Sequence, residues 1–238
     1  MTSVAQKPTC ATLTPRAVIG FLAYALLSPT VLFLAAGTLD WPMAWAYVAA
    51  GAAATAASRA LVLVKQPGLA AERGRFIEGE GAKTWDRALA PVVALLLPTV
   101  LMLVCGLDHR WQASGPVASW LRRAAFVPLV AGYAVGLWAL VANPFFSAVM
   151  RIQRERGHTV VSAGPYRFVR HPGYAGGLLY YLMTPLILAA LWGFVPAVLG
   201  IGLTVLRTAL EDRALQAELP GYADYARRVR CRLVPGVW

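Results

Sequence analysis

Long apolar runs set the first limit on how this chain can fold. Residues 17–39, 41–64, 88–107 and 124–142 are apolar runs of roughly membrane length, and 174–206 is a longer fifth run. A hydrocarbon core takes about 20 apolar residues per helix, so each of the first four fits one crossing. The fifth is too long for one crossing and is interrupted by Trp192, Gly193 and Pro196. It reads as two helices turning near 190–193. The expected fold is all-α, a polytopic integral-membrane helical bundle of five to six membrane segments with a C-terminal helical hairpin. The first run follows Lys7 and Arg16. It exceeds the ~7–15 apolar residues of a cleavable signal, so it is expected to be a retained helix behind a mobile stretch at 1–14.

Composition agrees. The chain is 58% hydrophobic and 14% charged, against about 45–50% and 25% in soluble domains. Its net charge of +11 does not point to nucleic acid, because no basic stripe lies on a soluble module. The basic residues instead flank the apolar runs, at 65–87, 150–171 and after 207. The positive-inside rule puts those regions and the N-terminus in the cytoplasm. The 39–41 turn, with Asp40, and the 108–123 loop, with Arg110, Arg122 and Arg123, are then outside. The Ala- and Arg-rich composition suits a bacterial inner membrane, with both termini cytoplasmic. Cys10, Cys105 and Cys231 are scattered and support neither a disulfide framework nor a metal site.

The two halves differ. Residues 1–142 are mostly Ala, Leu, Val and Gly, including an Ala-rich run at 49–57 suited to close helix packing. They read as scaffold. Residues 143–238 crowd polar and aromatic side chains at the membrane boundary and read as the working region. Its densest part is the segment Gly164, Pro165, Tyr166, Arg167, Phe168, Val169, Arg170, His171, Pro172, Gly173, Tyr174. Arg and His at a bilayer edge are costly, which argues for a task. Pro172 also suits a helix start. Upstream, Pro144 should end or kink a helix, leaving Asn143 to face a cavity or to satisfy the freed backbone. Arg151, Gln153 and Arg154 follow, usable for a cofactor or for lipid headgroups.

Arg207 and Glu211 lie four residues apart, on one helical face. The bland reading is an ion pair at the membrane edge. The functional reading has Arg207 present its guanidinium to an anionic substrate group while Glu211 or Asp212 accepts hydrogen bonds from a cofactor. Pro220 and Gly221 break the helix, and Tyr222, Ala226 and Val229 then recur at helical spacing. An apolar close at 233–238 ends in Trp238 and suits an interface.

These elements together resemble the isoprenylcysteine carboxyl methyltransferase family of integral-membrane enzymes and, more distantly, phospholipid N-methyltransferases. The matching pattern is His158 to Val161, then Gly164-Pro165-Tyr166-Arg167, then Arg170-His171-Pro172-Gly173-Tyr174 with Gly176. It continues to Arg207, Glu211-Asp212 and Leu215, to Gly221-Tyr222 with Tyr225, and to the close at 232–236. Asp212 stands where the family pattern has a second Glu. The resemblance covers 143–238 and leaves 1–142 without a diagnostic motif. It implies S-adenosylmethionine as cofactor. It implies a pocket enclosed by His158, Gly164, Tyr166, Arg170, His171, Pro172, Tyr174, Gly176, Glu211 and Asp212, with Arg207 toward the methyl acceptor and Arg207 and Glu211 as the catalytic pair. The acceptor would be a lipophilic or small membrane-accessible carboxylate, amine or thiol, and the implied partners are membrane lipids and that acceptor. No metal, nucleic acid or obligate protein partner is implied.

Methyl transfer from a sulfonium is an in-line displacement served by alignment, with aromatic faces such as Tyr166, Tyr174 or Tyr180 able to attract the cation. No glycine-rich loop of the GxGxxG type follows a strand, which excludes a Rossmann methyltransferase on that pattern. Two other readings compete. Nicotinamide-dependent membrane sterol reductases are similar in their C-terminal part but usually have more spans. A non-enzymatic lipid-binding scaffold would leave the Arg, His and Tyr cluster without a reason.

Overall fold

The computed structural model describes residues 15–65 and 81–238. The stretch at 1–14, expected to be mobile, and the 66–80 part of the polar connection lie outside the described residues. Among the described residues all regular structure is helical. Helix α1 (Pro15–Ala36) and α2 (Pro42–Lys65) come first. Helix α3 (Thr84–Pro91) passes through a π-helical turn (Val92–Leu96) into α4 (Leu97–Trp111). Helix α5 (Ser119–Ala124) leads into α6 (Phe126–Ala142). After a long irregular segment come α7 (Pro172–Leu188), α8 (Phe194–Glu218) and the short α9 (Tyr222–Arg228).

Among the described residues, four helical stretches are long and apolar enough to cross a membrane: Pro42–Lys65, Thr84–Trp111, Ser119–Ala142 and Leu191–Glu218. A shorter apolar segment, Ala25–Ala36, lies in α1. Helix α7, at 17 residues, is about 25 Å long. The chain is a polytopic helical membrane protein. The C-terminal hairpin turns where the apolar run is interrupted. Ala189 takes a left-handed conformation at φ +53°, a turn Leu191–Gly193 follows, and α8 begins at once. Asp108, on α4, accepts the Trp192 N–H at 3.0 Å and the Ser114 hydroxyl at 2.5 Å, so one carboxylate ties the turn to the 112–117 loop.

Contacts along the bundle sort the elements into two ends. At the hairpin end Trp41 stacks on His109 with ring centres 3.7 Å apart, and Arg122 Nε donates to the Ile187 carbonyl at 3.1 Å. At the opposite end Lys83 pairs with Glu218, close to the segment that follows α6. Trp45, Trp111, Trp120 and Trp192 are exposed toward the hairpin end, as interfacial tryptophans are. Leu34, Leu63, Val127, Val198 and Leu199 are exposed on the bundle's flanks, where lipid rather than water is the matching solvent.

Lipid tails are as apolar as Leu, so the bundle is held by close packing more than by removal of apolar surface from water. Leu32, Leu101, Met102, Leu129, Ile187 and Leu188 form a core that draws on both halves of the chain. Helices α6 and α7 pack closely through Gly132 and Gly176. A Cβ on Gly176 would stand 2.4 Å from the Gly132 carbonyl oxygen, an approach only glycine allows. That crossing fixes the start of α7, where the polar cluster lies. A second cluster, including Tyr166, Leu215, Leu219, Tyr222 and Tyr225, packs at that end.

Candidate active site

A cavity of about 260 Å³ opens at the end of the bundle away from the hairpin turn. Its walls come from the segment after α6, from the start of α7 and from the last turns of α8. Pro144 fixes the first wall. The residue before a proline is pushed out of the helical region, and Asn143 is extended at φ −116°, ψ 103°. Its Oδ1 then accepts the Phe145 N–H at 2.8 Å and its Nδ2 donates to the Tyr166 hydroxyl at 3.2 Å. Asn143 therefore both satisfies freed backbone and faces the cavity.

Gln153 is fully buried and organises the next loop. Its Nε2 donates to the Phe145 carbonyl at 2.8 Å and its main-chain N–H to His158 Nδ1 at 3.2 Å. Arg156 closes the loop with a hydrogen bond to Gln153 Oε1 and another, at 2.9 Å, to the Pro144 carbonyl. His158 lines the cavity and stacks on Phe145 with centres 4.5 Å apart. Burial, then the charges of Arg156 and Arg151, hold its pKa below the ordinary imidazole value. It is neutral, with Nδ1 accepting.

The Gly164 segment forms a 3-10 turn, Gly164–Arg167, that buries Pro165 and Tyr166. Gly164 sits at φ +60° against Trp138, a left-handed conformation that favours glycine. The Tyr166 ring reaches the cavity, and burial raises the pKa of its phenol and keeps it protonated. Its carbonyl accepts the Tyr225 hydroxyl at 2.6 Å. Pro172 occupies the first turn of α7, where its missing N–H costs nothing.

The two neighbouring carboxylates of α8 have different surroundings. Asp212 is fully buried and lies outside the cavity wall. It takes both prongs of Arg170, Nε at 2.7 Å and Nη2 at 2.9 Å. It also accepts from Arg232 Nε at 2.9 Å, Gln216 Nε2 at 2.9 Å and the Tyr222 hydroxyl at 3.1 Å. Arg170 Nη1 donates to the carbonyls of Val229 and Arg230 at 2.8 and 2.9 Å, at the end of α9. Buried charges are tolerated when paired and saturated in this way. Breaking such a pair costs about 3–5 kcal/mol. Asp212 thus joins α7, α8, α9 and the C-terminal tail. Glu211, in contrast, faces the cavity with its side chain 21% exposed. The Tyr174 hydroxyl donates to its Oε2 at 2.6 Å. His171 stands behind, Nε2 3.4 Å from Asp212 and Nδ1 3.9 Å from Glu211.

Arg207 lines the cavity too, but its ion-pair partner is not Glu211. It makes a two-pronged pair with Asp86 of α3, Nε to Oδ1 at 2.7 Å and Nη2 to Oδ2 at 2.9 Å. Nη2 also donates to the Ala148 carbonyl at 2.8 Å. Its guanidinium carbon lies 5.3 Å from the centre of the Tyr174 ring. Helical spacing showed which residues share a face with Arg207. It could not show a partner 121 positions away.

Of the expected site residues, the fold brings His158, Tyr166, Arg170, His171, Tyr174, Arg207 and Glu211 to the cavity wall. Gly164, Pro172, Gly176 and Asp212 lie behind it, as turn, helix start, helix crossing and ion-pair hub. Asp86, Ala94 and the 148–150 segment were not singled out by the sequence. The only signal for Asp86 is a carboxylate just ahead of an apolar run.

A model of the isoprenylcysteine carboxyl methyltransferase family matches residues 124–217. Protein-S-isoprenylcysteine O-methyltransferase A of Arabidopsis thaliana is 29% identical over 103 residues, 42% of this chain and 48% of that protein. The B form from the same plant is 26% identical over the same shares. The cobalt-zinc-cadmium resistance protein CzcN of Cupriavidus metallidurans is 36% identical over 80 residues, 32% of this chain and 36% of that protein. The chain thus spans about half or less of the length of these curated relatives. The matched stretch runs from the end of α5 through α6 and the polar segment to the last turn of α8, and it supplies nearly the whole cavity wall. By that stretch the chain is similar to the isoprenylcysteine carboxyl methyltransferase family.

Proposed function

We propose that this chain is an S-adenosylmethionine-dependent membrane methyltransferase whose cofactor occupies the cavity around Glu211. The observation that carries the reading is the division of labour in the acidic pair. Asp212 is spent on Arg170 and Arg232, whereas Glu211 is held by one hydroxyl and turned to the cavity. A partly exposed carboxylate among aromatic rings matches a ligand that carries an ammonium, ribose hydroxyls and a sulfonium. Glu211 would accept hydrogen bonds from such donors. The rings of Tyr166 and Tyr174 would offer faces to a cation, and His171 would back Glu211. Bound there, the cofactor supplies an electrophilic methyl group.

The chain's own contribution is then alignment and exclusion of water. Arg207 marks the membrane-side end of the cavity, with Tyr174 between it and Glu211. An acceptor carried in lipid would arrive at that end. A carboxylate needs no base, and a protonated amine or thiol would find Glu211 the nearest proton acceptor. The relatives' printed names make an S-isoprenylated cysteine one carboxylate worth testing. The cavity lies at the end where Lys83, Arg151, Arg154, Arg156, Arg167, Arg170 and Arg213 gather, which supports a cytoplasmic placement by the positive-inside rule.

Membrane vesicles test activity and orientation together. Vesicles containing the full chain, everted or right-side-out, receive S-adenosylmethionine labelled in the methyl group. They are supplied with a total lipid extract, an S-isoprenylated cysteine or a long-chain thiol. Label should pass to an acceptor in everted vesicles and not in intact right-side-out ones. No transfer in either, combined with binding of NADPH, would replace this reading with the reductase. Transfer only in right-side-out vesicles would reverse the orientation.

A further inference from the structure

The half of the chain before Asn143 supplies one residue to the cavity wall, Ala94 on the π-helical turn. Its larger contribution is indirect. We propose that Asp86 is a positioning residue, which sets where the Arg207 guanidinium stands at the acceptor end of the cavity. The proposal rests on the methyltransferase reading above.

Three donors converge on the Asp86 carboxylate, which is fully buried. Arg207 gives two, at 2.7 and 2.9 Å, and the Met150 N–H gives the third at 2.5 Å. The Lys83 N–H returns to the Met150 carbonyl at 3.0 Å. One side chain of α3 therefore fixes both Arg207 and the 148–150 segment, and both line the cavity. The pair also decides what Arg207 has left to offer. Its Nε and Nη2 are occupied by Asp86 and Ala148. Nη1 makes no hydrogen bond to a described residue.

A guanidinium bound in this way cannot give an acceptor the two-pronged grip it gives a free carboxylate. It offers the two N–H of Nη1 alone, a single nitrogen, with its charge already matched. That suits placing one oxygen, nitrogen or sulfur of the acceptor rather than drawing in an anion. The direction of that donor is set by Asp86, since the planar fork turns with the carboxylate it binds.

A pair that merely joins α3 to α8 and a pair that aims Arg207 respond differently to Asp86→Glu. Glutamate keeps the charge and can keep the pair, but displaces the carboxylate by about 1.5 Å, one C–C bond. In nanodiscs, wild type, Asp86→Glu and Asp86→Asn are compared for S-adenosylhomocysteine affinity and melting temperature. They are also compared for the initial rate of labelled methyl transfer as the total lipid extract is varied. Asp86→Glu should bind and melt as wild type does while transferring roughly ten- to a hundredfold more slowly, as misplacement of an aligning group does. Asp86→Asn should transfer more slowly still. If Asp86→Asn does not fold, Asp86→Glu alone decides. Asp86→Glu transferring at the wild-type rate would overturn the proposal. So would a rate that falls in step with cofactor affinity or melting temperature, because the pair would then be a structural joint. Wild type that neither binds nor transfers would overturn the methyltransferase reading, and this proposal with it. The other outcomes overturn this proposal alone.

Discussion

His158 shows how a single residue couples the cavity to pH. Its ring accepts the Gln153 N–H through Nδ1, which requires that nitrogen to be unprotonated. Burial, then Arg156 and Arg151, depress its pKa in the folded chain. The unfolded chain therefore takes up the proton first. The stabilisation is complete above the ordinary value of about 6.5 and is lost as pH falls from there through the lower folded value. S-adenosylhomocysteine affinity should weaken across that window. His158→Asn, whose side chain does not titrate, should flatten the profile. An unchanged profile in the variant would detach His158 from the cavity's pH response. At this scale the sequence was legible where chemistry is local. The turn at Asn143 and Pro144, the proline start of α7 and the polar cluster all follow from short-range rules. Pairing across the chain was not legible. Glu211 was the partner that helical spacing offered Arg207, and Asp86 is the partner that the fold supplies. Asp86 is invisible to spacing because α3 and α8 meet only once the bundle is packed.

The apolar runs outlined the helices to within a few residues, except that α8 runs on to Glu218, twelve residues past the apolar run, and the breaks at Trp192, Gly193 and Pro220 placed the turns. The π-helical turn at Val92–Leu96 left no such trace, since hydropathy does not record which carbonyl a given N–H reaches. It leaves the Val93 carbonyl to accept the Tyr181 hydroxyl at 3.0 Å, and it carries Ala94 to the cavity. Gly176 belongs to this scale too. It was expected to touch the cofactor, and it sits where α7 crosses α6. Gly176→Ala sets a Cβ against the Gly132 carbonyl, with no flexible side chain to give way. Overpacking of this kind costs about 1–3 kcal/mol. The neighbouring Gly177 has open space around it, so Gly177→Ala should be neutral or gain up to about 1 kcal/mol in helix propensity. Thermal unfolding in detergent compares the two. Equal melting temperatures would mean that the α6–α7 crossing does not depend on glycine.

In the whole molecule, the two ends of the bundle differ in chemistry. The hairpin end carries exposed tryptophans and an Asp108 joint that locks the loops. The other end carries most of the cationic side chains and a cavity walled by the segment that matches the family. This asymmetry was legible from the distribution of charge and apolar length alone. The depth of the cavity was not, because it depends on how α7 and α8 stack and on which carboxylate of the pair turns inward. The proposed cofactor site has Glu211 as its carboxylate. Calorimetric titration of S-adenosylhomocysteine into wild type and Glu211→Gln in nanodiscs tests this directly. Gln keeps the shape and can still accept from Tyr174. A lost hydrogen bond to a charged group is worth about 1.5–3 kcal/mol, so the account predicts saturable binding by wild type and binding weaker by roughly ten- to a hundredfold in the variant. No binding by wild type, or equal affinity in the two proteins, would contradict it.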